Sequence, residues 1–163
     1  MPDTLTVESP LGLLALHAEG DRITSLDWVD APVEENASGV LRDAATQLRA
    51  YFDGRLKTFD LPLAPTGTEH QKAVWSAMLR IPYGGLITYG EIADELNSSA
   101  RAVGTACGRN PIPVIVPCHR VVAAGGIGGF AGARGGDLVH LKQWFLQHER
   151  ARSNDSRSQP DAV

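Results

Sequence analysis

The stretch TYGEIADELNSSARAVGTACGRN, residues 88–110, decides how the second half of the chain folds. Thr88 followed three residues later by Glu91 is a capping box, and it opens a short helix running to about Leu96. Asn97-Ser98-Ser99 makes a turn, and Ser98 or Ser99 can cap a second helix from Ala100 to about Arg109. Two short helices joined by a three- or four-residue turn match a helix-turn-helix unit, although plain helix packing produces the same pattern.

Working outward, Thr68 and Gln71 form another capping box, and Val74, Trp75, Met78 and Leu79 give the helix that follows an apolar face until Pro82 stops it. Beyond Arg109, Pro111 and Pro113 end helical structure, and Ile112 to Val116 reads as an apolar extended segment delivering Pro117-Cys118-His119-Arg120. A glycine-rich loop covers Gly125 to Gly136. A last helix from Asp137 to about Arg150 is expected to bury Leu138, Leu141, Trp144, Phe145 and His148. In the first half, Thr4–Glu8, Gly12–His17 and Arg22–Trp28 read as an antiparallel meander, and Leu41–Phe52 carries apolar residues at helical spacing. The expected fold class is α/β (α+β). A small N-terminal antiparallel sheet with a helix (1–62) and a Pro/Gly linker (63–67) precede a mainly helical C-terminal domain with a helix-turn-helix (68–150). A polar, disordered tail (151–163) closes the chain.

Composition excludes several classes. At 163 residues, 43% hydrophobic and 21% charged, the chain has the balance of a packed globular protein rather than a disordered or fibrous one. No apolar run is long enough for a membrane span, and Met1-Pro2-Asp3 lacks the basic and apolar opening of a secretory signal. Two cysteines make neither a disulfide framework nor a zinc knuckle, so a reduced, cytoplasmic protein is expected. The net charge of −4 conceals an asymmetry: residues 1–66 hold 11 acids and 5 bases, residues 67–152 hold 6 acids and 9 bases. A polyanion touching only the second half fits this, as does an ordinary solvated surface.

Cys118 is the strongest candidate for chemistry. A thiol beside imidazole and guanidinium groups is a good nucleophile, whereas a lone buried cysteine is as often mere packing; the residues alone leave both open. His119 can serve Cys118 only if the backbone turns there or a water bridges them. Cys107, among Ala102, Val103, Ala106 and Gly108, reads as packing.

Pro117-Cys118-His119-Arg120-Val121-Val122, preceded by Asn110-Pro111-Ile112-Pro113-Val114-Ile115-Val116, resembles the active-site signature of the O6-alkylguanine-DNA alkyltransferases. Ile81-Pro82-Tyr83-Gly84, Thr88-Tyr89-Gly90-Glu91-Ile92-Ala93, Ala100-Arg101-Ala102-Val103-Gly104 and Lys142-Gln143-Trp144-Phe145-Leu146-Gln147-His148-Glu149 agree with the family in order and spacing. The resemblance is strong from about Thr68 to Arg150 and looser over the opening strands.

The resemblance implies a monomeric methylated-DNA–protein-cysteine methyltransferase that needs no cofactor or metal and is consumed in one turnover. Its partner would be double-stranded DNA containing O6-alkylguanine, bound through the minor groove by the helix-turn-helix, with the damaged base flipped out; O4-alkylthymine is a second expected substrate and cooperative binding along DNA a further possibility. By match to the motif, Cys118 would accept the alkyl group. His119 would deprotonate it through a water, and Glu149 would orient His119. Tyr89 would donate toward guanine N3, and Asn110 would link the recognition helix to the active-site segment. Arg101 would replace the flipped base, with Ala100, Ala102, Gly104 and Arg109 completing the DNA contact. Val121, Phe130, Ala131, Gly132 and Lys142 would line the substrate pocket. Ala133-Arg134-Gly135-Gly136-Asp137 makes the pocket loop longer than usual for the family, which leaves the size of the accepted adduct open. Two competitors are a lesion-binding relative without transfer, which would carry Trp or Ala in place of Cys118, and a cysteine hydrolase, which would turn over many times.

Overall fold

The computed structural model describes residues 3–125 and 137–157 and divides into two compact units. The first comprises Met1–Gly67 with Pro111–Ile115, the second Thr68–Asn110 with Val116–Val163.

In the first unit, β1 (Asp3–Ser9), β2 (Gly12–Glu19) and β3 (Arg22–Val29) form an antiparallel sheet in the order β1-β2-β3. Leu5 pairs with Leu16 and Val7 with Leu14, so alternate residues bury one face. Helix α1 (Gly39–Phe52) covers it with Leu41, Ala44, Ala45, Leu48, Tyr51 and Phe52. The segment expected to begin the linker is tied down instead: the Ile23 amide donates to the Pro62 carbonyl and the Ala64 amide to that of Ile23, making a parallel bridge at Leu63.

The second unit begins with α2 (Glu69–Leu79). Both of its capping-box bonds form, Gln71 amide to Thr68 Oγ1 at 3.1 Å and Thr68 amide to Gln71 Oε1 at 2.9 Å. Its inner face is Val74, Trp75, Ala77 and Met78; Leu79, expected inside, is half exposed because it falls at the last residue before the helix turns off. A two-residue strand β4 (Ile87–Thr88) leads into α3 (Tyr89–Leu96), capped by Thr88 and Glu91 as the spacing predicts. Asn97 adopts the left-handed conformation (φ 57°, ψ 46°) that ends the helix, and of the two candidate caps Ser99 takes the role, accepting from the Ala102 amide at 3.1 Å. Helix α4 (Ala100–Gly108) follows, and the Trp75 indole ties it to α2 by donating to the Ala106 carbonyl at 2.9 Å.

Three further expectations are corrected. Ile112 to Val116 is not extended: Val114 has φ 76°, a left-handed value that a β-branched residue adopts only when its surroundings impose it, and its side chain is buried. The last helix, α5 (Asp137–Arg157), runs well past Arg150, because no proline or glycine interrupts the sequence before Pro160. Its buried stripe is Lys142, Phe145 and Glu149, while Leu141, Trp144 and His148 are only partly covered. Two charged residues sit inside because each has partners there, which periodicity of apolar residues cannot reveal.

Candidate active site

Pro117 (φ −81°, ψ 70°) centres an inverse γ-turn in which the Cys118 amide donates to the Val116 carbonyl at 2.8 Å. A single 3-10 turn, Cys118–Arg120, follows, then the strand β5 (Val121–Val122). This is a backbone turn of the kind that lets adjacent residues serve one site: proline presets φ, and the tight turn sends three consecutive side chains in different directions. Asn110 fixes the approach, its Nδ2 donating to the Val116 carbonyl at 2.9 Å. β5 pairs in parallel with β4, Ile87 opposite Val121 and Thr88 opposite Val122, so the start of α3, with Tyr89, lies beside the end of the cysteine turn.

Cys118, His119 and Arg120 are all buried. His119 Nε2 is 2.6 Å from Glu149 Oε2, and its ring stacks on Phe145 with centroids 4.9 Å apart. Glu149, 1% exposed, also receives Arg120 Nε on Oε1 at 2.8 Å, an Arg120 terminal nitrogen on Oε2 at 3.1 Å, and the Gly84 amide at 3.4 Å. Burial alone would push the Glu149 carboxyl up; the hydrogen bonds and charges of His119 and Arg120 outweigh it and hold the group well below the usual carboxylate range. Burial pushes His119 down, assisted by the positive charges of Arg120 and Lys142 and opposed by Glu149. A neutral imidazole beside a carboxylate donates from Nε2, which leaves Nδ1 as a lone pair; that atom is buried with no hydrogen-bond partner among the described residues. The arrangement is a base with an orienting carboxylate, next in the chain to a thiol.

Lys142 is fully buried and donates to the Val121 carbonyl at 2.6 Å, with its ammonium 5.7 Å from the centre of the Tyr89 ring. Burial lowers its pKa to about 8, resisted by the thiols of Cys118 and Cys107. Cys107 is raised to about 12 by burial and by Cys118, with Lys142 acting in the opposite sense. Among the described residues no cluster of three or more His, Cys, Asp or Glu could hold a metal ion, and no helix is long and apolar enough to cross a membrane.

The sequence-predicted residues thus fall into three sets. Cys118, His119, Glu149, Asn110, Tyr89, Val121 and Lys142 belong to one connected neighbourhood. On α4, Ala100 and Arg101 are exposed, Ala102 and Gly104 half-buried, and Arg109 exposed at the C-cap. Arg101 and Ala102 line a shallow groove of about 420 Å³ with Thr68, His70, Ser99 and Thr105. Phe130, Ala131 and Gly132 lie outside the described residues. Arg120 is the buried neighbour of this cluster that sequence reasoning overlooked. It was legible as a cation near Cys118, but nothing in one sequence pairs it with a glutamate 29 positions on.

The family model described as 6-O-methylguanine DNA methyltransferase, ribonuclease-like domain, matches residues 4–65, and its DNA binding domain matches residues 69–151. The chain is 45% identical over 152 residues to the methylated-DNA--protein-cysteine methyltransferase of Methanosarcina acetivorans, covering 87% of this chain and 94% of that one. The crystal structure of the Mycobacterium tuberculosis O6-methylguanine methyltransferase matches with a TM-score of 0.81 at 40% identity, over 93% of this chain and 94% of that one. The structure of M. tuberculosis OGT in complex with DNA matches with a TM-score of 0.77 at 41% identity, over 90% and 92% of the two chains. Matches of this extent over both units leave one conclusion: the chain belongs to the 6-O-methylguanine DNA methyltransferase family.

Proposed function

We propose that this protein repairs DNA directly, moving an alkyl group from O6 of guanine onto Cys118 in a single, irreversible turnover as a methylated-DNA–[protein]-cysteine S-methyltransferase. The observation that carries the reading is the buried sequence of contacts behind the thiol: Cys118 on a proline-preset turn, His119 beside it with Nδ1 unbonded, and Glu149 holding Nε2 at 2.6 Å.

The residues divide the chemistry. His119 takes the thiol proton through a water, and Cys118 Sγ forms a bond to the alkyl carbon as the carbon–O6 bond breaks. The electron pair of that bond leaves with guanine. Tyr89, beside the turn, donates toward N3, and the proton removed from sulfur ends on the base. Neutral Lys142 or its ammonium keeps the Val121 carbonyl in place, where it accepts from the guanine 2-amino group with that of Cys118. A thioether does not hydrolyse, so the protein is spent.

DNA is the partner, and α4 is the element that enters its minor groove. Small residues at Ala100, Ala102 and Gly104 let the backbone approach closely, and exposed Arg101 is free to enter the stack when the base is extruded. Arg109 adds a phosphate contact, Asn110 joins this helix to the Cys118 turn, and Phe130, Ala131 and Gly132 complete the pocket wall. The protein works as a monomer in the cytoplasm, on O6-alkylguanine and also on O4-alkylthymine.

The test is peptide mass spectrometry after mixing with a duplex holding one O6-methylguanine. The Cys118 peptide should gain a single methyl, about 14 mass units, saturating at one per protein. DNA binding without mass gain would make the protein a lesion binder, and repeated turnover would make it a hydrolase.

A further inference from the structure

Among the described residues Arg120 is the one buried arginine. Its guanidinium spans both oxygens of Glu149 at 2.8 and 3.1 Å, its remaining terminal nitrogen donates to the Ile81 carbonyl at 2.7 Å, and its flat face lies 5.8 Å from the centre of the Tyr83 ring. Arg120 is 7% exposed, Glu149 1% and His119 0%. A buried guanidinium with this many fixed partners is a permanent positive charge, unable to shed its proton.

Charge counting gives it a task. Arg120 and Glu149 together are neutral, so His119 can also be neutral without leaving a net charge buried. Without Arg120, a carboxylate at this depth stabilises one extra proton in the His119–Glu149 pair. Whichever partner formally owns that proton, the result at the ring is the same. An imidazolium carries hydrogen on Nδ1, and so does a neutral imidazole accepting at Nε2 from a protonated Glu149. The base lone pair is lost in both cases.

We infer that Arg120 is a positioning residue for the transfer reaction: by neutralising Glu149 it keeps the His119 proton on Nε2 and leaves Nδ1 free to act as the base. The inference rests on the alkyl-transfer reading for its meaning but not for its test. The charged groups acting on His119 are Glu149 and Lys142 from α5 and Arg120 from its own turn, with the Cys118 thiol preceding it in the chain and the Tyr83 ring from the loop after α2 lying against Arg120. Lys142 acts in the same direction as Arg120, with its ammonium donating to the Val121 carbonyl, while the guanidinium of Arg120 is the cation bonded to both Glu149 oxygens.

The experiment uses the whole protein without DNA. The rate at which methyl methanethiosulfonate modifies Cys118, read on the Cys118 peptide, is followed against pH in the unmodified protein, Arg120→Met and Arg120→Lys. In parallel, nitrogen NMR reads the His119 tautomer. The unmodified protein should show a neutral ring with hydrogen on Nε2 at neutral pH. Arg120→Met should move the acid limb of the rate upward by about one pH unit or more and place hydrogen on Nδ1. Arg120→Lys, which keeps the charge, should restore most of that shift even if the protein is less stable. A folded Arg120→Met with an unmoved acid limb overturns the inference. So does a charged His119 in the unmodified protein at neutral pH, a readout that stands if Arg120→Met does not fold. Neither measurement involves alkylated DNA, so failure of methyl transfer leaves both decisive.

Discussion

Lys142 places its ammonium 2.6 Å from the carbonyl oxygen of Val121, on a side chain with no exposure to solvent. Dehydration of the ammonium outweighs what its partners return, which is why burial brings its pKa down to about 8 from 10.5. The folded pKa lies below the unfolded one, so the unfolded chain binds more protons between those values. Stability therefore rises with pH from about 8 to about 10.5, and below about 8 the charged form costs the fold roughly 3 kcal/mol. Lys142→Met should be more stable than the unmodified protein at neutral pH by part of that amount, with the gap closing toward pH 10 in urea titrations. Transfer should fall sharply in the same variant, because the Val121 carbonyl loses its anchor. A variant no more stable at neutral pH would show that Lys142 is better solvated than its burial implies.

Asn110 spans the segment before Cys118 by donating to the Val116 carbonyl, the same carbonyl that closes the γ-turn onto Cys118. Asn110→Ala leaves that oxygen with one partner fewer at a buried position and should cost about 1–3 kcal/mol. Because the Val114 conformation is held by its surroundings rather than by its own preference, the loosened segment should relax and carry Cys118 with it. The expected outcome is a transfer rate reduced tenfold or more with duplex affinity little changed, read by single-turnover methyl transfer beside a binding titration.

The parts of this architecture that local chemistry determines were legible. Both capping boxes, the Asn97 turn and the antiparallel meander depend on residues a few positions apart, and all three form as read. The parts set by distant partners were not. Lys142 and Glu149 broke the apolar pattern of α5, so the inward face was placed on Leu138, Leu141, Trp144, Phe145 and His148. The charges are inside because Val121, His119 and Arg120 receive them. Val114 shows the same limit in the backbone: a valine among isoleucines and prolines reads as extended, and only the fold's demands give it φ 76°. Of the site, the Pro117–Val122 motif pointed to the proposed nucleophile and its proposed base, whereas the guanidinium bonded to the Glu149 carboxylate required the third dimension.

Cys107 should stay silent in conditions where Cys118 reacts. It is 5% exposed, its thiol lies 3.5 Å from the Met78 sulfur, and burial pushes its pKa up to about 12. The thiolate is the reactive form, so Cys107 is almost wholly protonated at any pH the fold tolerates. Treating the folded protein with iodoacetamide near pH 8 should leave the Cys107 peptide unmodified, and urea should release it. Cys107→Ala should preserve stoichiometric methyl transfer while lowering stability by about 1 kcal/mol for the lost packing. Labelling of Cys107 in the folded state would mean that α4 opens locally, and labelling that tracks the loss of transfer would assign it a role.

Gly104 separates the demands of folding from those of binding. It sits in the middle of α4, where glycine is about 1 kcal/mol worse than alanine. A Cβ built there meets only the Tyr89 ring, at 3.9 Å, an ordinary contact. The fold therefore has no need of glycine at this position, and Gly104→Ala should raise stability by about 0.5–1 kcal/mol in thermal or urea unfolding. The proposed minor-groove approach of α4 does have that need, since each methyl group on this helix holds the backbone further from the groove floor. Duplex affinity should accordingly fall severalfold while the pH profile of Cys118 modification, measured without DNA, stays unchanged. A variant that is both more stable and equally tight would remove Gly104 from the DNA contact and shift the burden of close approach to Ala100 and Ala102.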